Sequence, residues 1–214
     1  MKNNKFKIIL GTVLCLVPIL FGLSVWDELP GQMPIHFGIN GEADGFASKP
    51  FAVIGIPVIM AGFNLIMHLA SRLEKRRENY SKKLESLTYF IVPAICNIIF
   101  PIVLFKAMGK DVKIEVIIPV FVCIMLIFIG NYLPKCKQNS TMGIKIPWTL
   151  SSEENWNRTH RVAGRVWVVG GVIIMATAFA GSFWILLGML IVMMAIPTVY
   201  SYCLHRKQVR EETE

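Results

Sequence analysis

Glu153-Glu154-Asn155-Trp156-Asn157-Arg158-Thr159-His160-Arg161 gathers two adjacent carboxylates, a histidine and two arginines in nine residues. That is the densest set of groups in the chain that could do acid–base or hydrolytic chemistry. It lies in a longer polar and aromatic stretch, Gly143 to Arg161, inside an otherwise apolar sequence. A second cluster, His36, Glu42 and Asp44, could gather a cation. Its spacing matches no standard zinc or calcium ligand set, and Asp44-Gly45 is explained as a turn former.

The elements that must position these groups are membrane helices. Of the 214 residues, 54% are hydrophobic and only 17% charged, against about 25% charged in soluble domains. Apolar runs recur at Ile8–Trp26, Phe51–Ala70, Leu87–Phe105, Val116–Leu133, Val162–Ala180 and Phe183–Cys203. Each has the length of a spanning helix, about 17–25 residues, and backbone in lipid must satisfy itself, which requires helices. The expected fold is an all-α integral membrane protein, a bundle of six transmembrane helices. The N-terminal run carries the basic start of a signal peptide, but its length and the lack of a small-x-small site make it the first span.

Charge placement sets the orientation. Lysines and arginines cluster at Lys2–Lys7, Arg72–Lys83, Lys135–Arg165 and Arg206–Arg210, while only Lys49, Lys106, Lys110 and Lys113 fall on the opposite side. Short basic loops stay in the cytoplasm, so both termini are expected there. The net charge of +8 is a topology signal and does not imply direct nucleic-acid binding. The five cysteines avoid the external loops and suggest no disulfide framework.

The external segment 27–50 contains Asn40-Gly41 and Asp44-Gly45 and is interrupted by prolines, which predicts a compact turn-rich loop or small hairpin. Its Asp27, Glu28, Glu42 and Asp44 outweigh Lys49, giving an acidic face suited to a cationic peptide. On the cytoplasmic side, Ser71–Ser86 extends two helices into water, and Gly181–Ser182 closes a tight external hairpin. In the longest connection, 134–161, Pro147 gives an extended entry. Ser151, three residues before Glu154, forms a capping-box pattern that starts a helix at Ser152. Trp156, His160 and Ala163 or Gly164 then share one face. Trp148 and Trp156 suit the headgroup level. Prolines interrupt five of the six runs, as ordinary kinks or as hinges. Polar residues inside the runs are few: Asn64, Asn97, Thr177 and, near a span end, His68. Proton relays and intramembrane hydrolysis depend on ionisable groups at that depth.

Glu153-Glu154 with Arg158 also fits the Glu-Glu-x-x-x-Arg signature of membrane proteases that cleave near prenylated cysteines. The Phe-x-x-x-His partner of those enzymes is missing. A longer match covers Gly130-Asn131-Tyr132-Leu133-Pro134-Lys135, Gly143-Ile144, Pro147-Trp148-Thr149-Leu150, Trp156 and Thr159-His160-Arg161 with Gly164. This resembles the central motif of the SdpI family, membrane proteins named for immunity to a secreted cannibalism toxin. Pro34, His36-Phe37, Gly41, Asp44-Gly45 and Ser48-Lys49 resemble a module of unknown function that precedes the motif in many members. Lys145 and Ile146 stand where the family commonly has Arg and Thr, and lysine cannot make the bidentate contact of a guanidinium.

The resemblance implies an N-terminal module, residues 1–86, and an SdpI-like module, residues 87–214, without cofactor or metal. It implies a non-enzymatic protein of the bacterial plasma membrane that gives resistance to a secreted peptide toxin. It further implies a receptor that holds a cytoplasmic winged-helix repressor of the ArsR type. The expected cytoplasmic docking or switch residues are Gly143, Pro147, Trp148, Thr149, Leu150, Trp156, Thr159, His160 and Arg161. The expected external recognition residues are His36, Phe37, Glu42 and Asp44. A small permease for an amphipathic compound and the protease are the alternative readings.

Overall fold

In a computed structural model, residues 2–71, 82–140, 142–177 and 183–213 are described. The helices are α1 (Lys2–Leu14), α2 (Val17–Ser24), α3 (Ile56–Ser71), α4 (Lys82–Ala107), α5 (Ile114–Tyr132), α6 (Pro147–Ser151), α7 (Glu153–Thr177) and α8 (Phe183–Thr213). Two strands, β1 (Gln32–Phe37) and β2 (Ala43–Ser48), separate α2 from α3. Among the described residues, five helical segments are long and apolar enough to cross a bilayer: Lys5–Ser24, Phe51–Ser71, Thr88–Ala107, Ile114–Lys135 and Trp184–Glu211. The run Val162–Ala180 begins within α7, and its residues 178–180 lie outside the described residues, as do Gly181–Ser182 and 72–81. The protein is a mostly helical, multi-pass membrane protein.

Contacts divide the chain into two compact units, one of Met1–Leu73 with Glu85–Glu115 and one of Val116–Glu214 with Glu74–Leu84. In the first unit the single predicted N-terminal span is two helices. Pro18 has no N–H to give the carbonyl of Leu14, four residues earlier, and the helix breaks between Leu14 and Val17. Asn97 of α4 supplies the missing donor, its Nδ2 lying 2.9 Å from the Leu14 carbonyl and 2.8 Å from that of Pro93. A polar residue inside an apolar span therefore repairs a proline break on its neighbour.

The segment between α2 and α3 departs from an all-α chain. Here β1 and β2 pair antiparallel from Gln32↔Ser48 to Phe37↔Ala43, with irregular register on both sides of His36. Gly41 turns the chain at a φ of +76°, the left-handed conformation that glycine adopts without cost. Met33 anchors the hairpin in a core of Leu29, Ala52, Val53 and Leu104. Lys49 reaches back to the Trp26 carbonyl at 3.1 Å and lies over the Trp26 ring. A five-residue π-type turn, Phe51–Gly55, then leads into α3.

The second unit repeats the proline repair. Pro197 strips the Met193 carbonyl of its helical donor, and Trp167 of α7 donates its indole N–H to that oxygen at 3.2 Å. Met193 itself is buried with Cys123 and Ile174, so α5, α7 and α8 share one apolar core. Where α5 ends, Gly164 of α7 packs on the Gly130 carbonyl and on Pro134, and a Cβ there would collide with both. Small residues permit this backbone approach in lipid, where packing replaces the hydrophobic effect as the drive for association.

Candidate functional site

The second unit folds residues 133–160 into a polar knot against α7 and α8. A 3-10 turn, Leu133–Lys135, ends the α5 segment. Cys136 follows, buried; desolvation pushes its thiol above the ordinary cysteine range. Asn139, also buried, receives the Met142 N–H at 2.7 Å and donates to the Lys137 carbonyl at 2.8 Å, which closes a tight loop. Gln138 donates to the carbonyls of Thr149 and Leu150 at 2.7 and 3.0 Å. Those carbonyls end α6, too short a helix to pair them itself.

Gly143, exposed, adopts a φ of +115°. A Cβ at this position would enter the space of His160 Nε2 and the Trp156 ring. Pro147 opens α6 at its first turn after the extended Ile146, the position where a missing N–H does no harm. Thr149 is fully buried; its hydroxyl lies 2.7 Å from the Ile144 carbonyl and accepts the Ile146 N–H at 3.1 Å. Leu150 is half-buried, as is Trp148, whose ring stacks on His205 and meets Tyr202 edge-on.

The helix start differs by one residue from the expected one. Ser151 closes α6, its hydroxyl donating to the Trp148 carbonyl at 3.2 Å. Ser152 caps α7, its Oγ accepting the Asn155 N–H at 3.2 Å. The two serines are adjacent, and the short helix opened by Pro147 consumes the first. Trp156 is likewise not at an interface: it is fully buried and donates its indole N–H to the Cys136 carbonyl at 2.7 Å. The shared face of α7 is real, since Trp156, His160, Ala163 and Gly164 are all buried.

His160 sits at the centre. Its Nδ1–H donates to the Trp156 carbonyl at 2.8 Å, and Nε2 accepts the Ile144 N–H at 3.0 Å. The ring also stacks on Trp156, centroids 4.1 Å apart. Burial holds the imidazole below its usual pKa, partly offset by the Trp156 carbonyl. Both nitrogens are committed to backbone, so His160 is a structural acceptor and donor, and only the neutral form makes both bonds.

Asn155 and Ser201 carry a second, unexpected centre. Asn155 is fully buried; it donates to the Ser201 carbonyl at 2.9 Å and accepts from the Thr159 hydroxyl at 3.0 Å and from the Ser201 hydroxyl. This satisfied network locks α7 to α8. Thr159 belongs to the family motif, whereas Asn155, between Glu154 and Trp156, is not among the motif's residues. Helical spacing alone could have placed Asn155 and Thr159 on one face.

The carboxylates lie outside the knot. Glu153 and Glu154 are exposed in the first turn of α7, where the helix dipole favours them. Glu154 pairs with Arg158 at 2.7 Å and accepts from Gln208 at 3.0 Å. Arg161 is exposed and bonds the Asn157 carbonyl on its own helix. In the first unit, His36 and Asp44 pair across the exposed face of the hairpin. Glu42 is exposed and accepts from Asn40 at 2.7 Å, while Phe37 is half-buried. The structure brings His36 and Asp44 together and keeps Glu42 with the turn.

Residues 135–201 match the SdpI/YfhL protein family, and residues 13–61 match a domain of unknown function, DUF1648. Along 210 residues the chain is 31% identical to Immunity protein SdpI of Bacillus subtilis (strain 168), covering 97% of this chain and 98% of that protein. No solved structure matches. The knot coincides with the matched region, and the end-to-end identity extends beyond it: this chain belongs to the SdpI/YfhL family.

Proposed function

We propose that this chain is a non-enzymatic immunity protein of the bacterial plasma membrane that protects its cell from a secreted peptide toxin. The observation that carries this reading is the similarity to Immunity protein SdpI, 31% identity over 97% of this chain and 98% of that protein. In this reading Val162–Ala180 is a sixth span and both termini face the cytoplasm, which accords with the basic loops. The two sequence modules, 1–86 and 87–214, then divide the outer recognition element from the inner knot.

The hairpin is the outer element. Asp27, Glu28, Glu42 and Asp44 give it an acidic surface for a cationic peptide, with His36 and Phe37 beside it. The knot is the inner element and presents Gly143, Pro147, Leu150, the edge of Trp148 and Arg161 to a cytoplasmic partner, an ArsR-type winged-helix repressor. Thr149, Trp156, Thr159 and His160 act from beneath by fixing that surface. Toxin can change the surface only if it binds two arrangements of the bundle unequally. The exposed Glu153 and Glu154, one of them already paired with Arg158, give the protease reading no buried carboxylate pair.

The test is survival of a toxin-sensitive strain expressing the chain. Protection against a secreted peptide supports the reading, and substrate flux in proteoliposomes without protection would replace it with the permease.

A further inference from the structure

The first unit holds an apolar cleft of about 210 Å³ between the hairpin and the helices α3 and α4. Met33, Pro34 and Ile35 of β1 wall the end at the membrane surface, with Ala52 and Leu104 beside them. The other end reaches Met60 of α3 and Cys96 of α4, each near the middle of a spanning segment. Ala52 to Met60 and Leu104 to Cys96 are eight residues each, about 12 Å at about 1.5 Å per residue. One leaflet of a hydrocarbon core about 30 Å thick is about 15 Å deep. The cleft is open along its side, where Ile35 is 44% exposed and Ile95, Ile99 and Val103 are half-buried.

Apart from the Cys96 thiol, every side chain that lines the cleft is apolar. Water in a cavity needs about 2–4 polar partners and lacks them here, while an empty cleft forfeits the dispersion contacts of its walls. The filler is therefore hydrocarbon, and a channel about one leaflet deep has the shape of an acyl chain. The surface end adds charge. Trp26 packs on the cluster of Met33, Ala52 and Leu104, and Lys49 lies over its ring. Lys49 gives one N–H to the Trp26 carbonyl, and an ammonium has more to give. Asp27 and Glu28 follow Trp26 and are exposed. A cation beside two carboxylates suits a zwitterion, with phosphate on Lys49 and a primary ammonium donating to Asp27 or Glu28. A choline has no N–H to donate, and a glycerol headgroup has no positive charge.

We propose that this cleft is a phospholipid site, which seats one acyl chain between β1, α3 and α4 and a phosphatidylethanolamine headgroup at Lys49, Asp27 and Glu28. The seated chain touches β1 on one side and both helices on the other, so lipid forms part of the packing that holds the hairpin in place. The site needs no toxin and stands apart from the immunity reading. An apolar protein segment is the competing occupant.

The full-length protein in phosphatidylcholine nanodiscs tests it with photoactivatable phospholipids. These carry a diazirine at the chain end and an ethanolamine, choline or glycerol headgroup, and labelled residues are read by mass spectrometry. Ile59 is the control, since it neighbours Met60 at the same depth and is 56% exposed, whereas Met60 is half-buried. Lipid that only surrounds the helices labels Ile59 more, and a seated chain labels Met60 and Cys96 more. The ethanolamine lipid is expected to label Met60 up to about fivefold above the other two, the ratio that one exposed ion pair supports. Lys49→Gln should remove that preference and leave labelling of Met60 by the choline lipid unchanged. The wild-type comparisons decide the case if that variant does not fold. Labelling of Ile59 above Met60 with all three lipids overturns the site and leaves the cleft to a protein segment. Equal labelling of Met60 by the three headgroups overturns the assignment of phosphatidylethanolamine.

Discussion

At the residue scale, two positions in the knot carry most of the constraint. Gly143 has both a left-handed φ and a neighbour where its side chain would go. Gly143→Ala should cost about 1–3 kcal/mol from backbone strain alone, more with displacement of the Trp156–His160 stack. A lower thermal midpoint in detergent would show it, along with loss of the buried-tryptophan fluorescence. His160 gives a pH prediction. Burial places its folded pKa below the unfolded value, so the unfolded chain binds the extra proton first. Stability is therefore full above about pH 6.5 and falls as pH drops through the folded pKa. His160→Asn should flatten that slope, measured by denaturation at a series of pH values. An unchanged slope would assign the acid sensitivity elsewhere.

At the scale of elements, the prolines and the polar residues have to be read together. Pro18 and Pro197 each free a carbonyl four residues back, and Asn97 and Trp167 each reach across from another helix to take it. Asn97→Leu should leave the Leu14 carbonyl unpaired in an apolar surrounding, costing about 1–3 kcal/mol. Hydrogen exchange should then rise around residues 14–18 more than in α3. The sequence made the kinks visible and the repairs invisible, because nothing in the residues around Pro18 points to position 97. Local patterns were read more easily. The face of Trp156, His160, Ala163 and Gly164 followed from helical spacing, and the hairpin turn from Asn40-Gly41, whereas Asp44-Gly45, expected as a second turn, lies within β2 with Gly45 opposite His36. The α7 cap was misplaced by one residue because Ser151 and Ser152 both precede α7, and only the intervening α6 decides between them. Trp156 was drawn toward the membrane surface by its chemistry alone. Its partner, the Cys136 carbonyl, lies 20 residues away along the chain, beyond any local signal.

At the scale of the whole molecule, the apolar runs made a multi-pass membrane protein legible from composition and length. The sixth span rests on the apolar run Val162–Ala180 and the sidedness of the termini on charge placement. Cysteine accessibility would check them: a cysteine at position 40 should react from outside intact cells and one at position 145 only after permeabilisation. The central claim is protection. Expressed in a strain sensitive to a secreted cannibalism toxin and lacking its own immunity protein, this chain should raise survival in killing curves above that of the empty strain. The variant Gly143→Ala should protect less at equal protein level. Killing curves that coincide with those of the empty strain across a panel of secreted peptides, with the protein present in the membrane, would contradict the account.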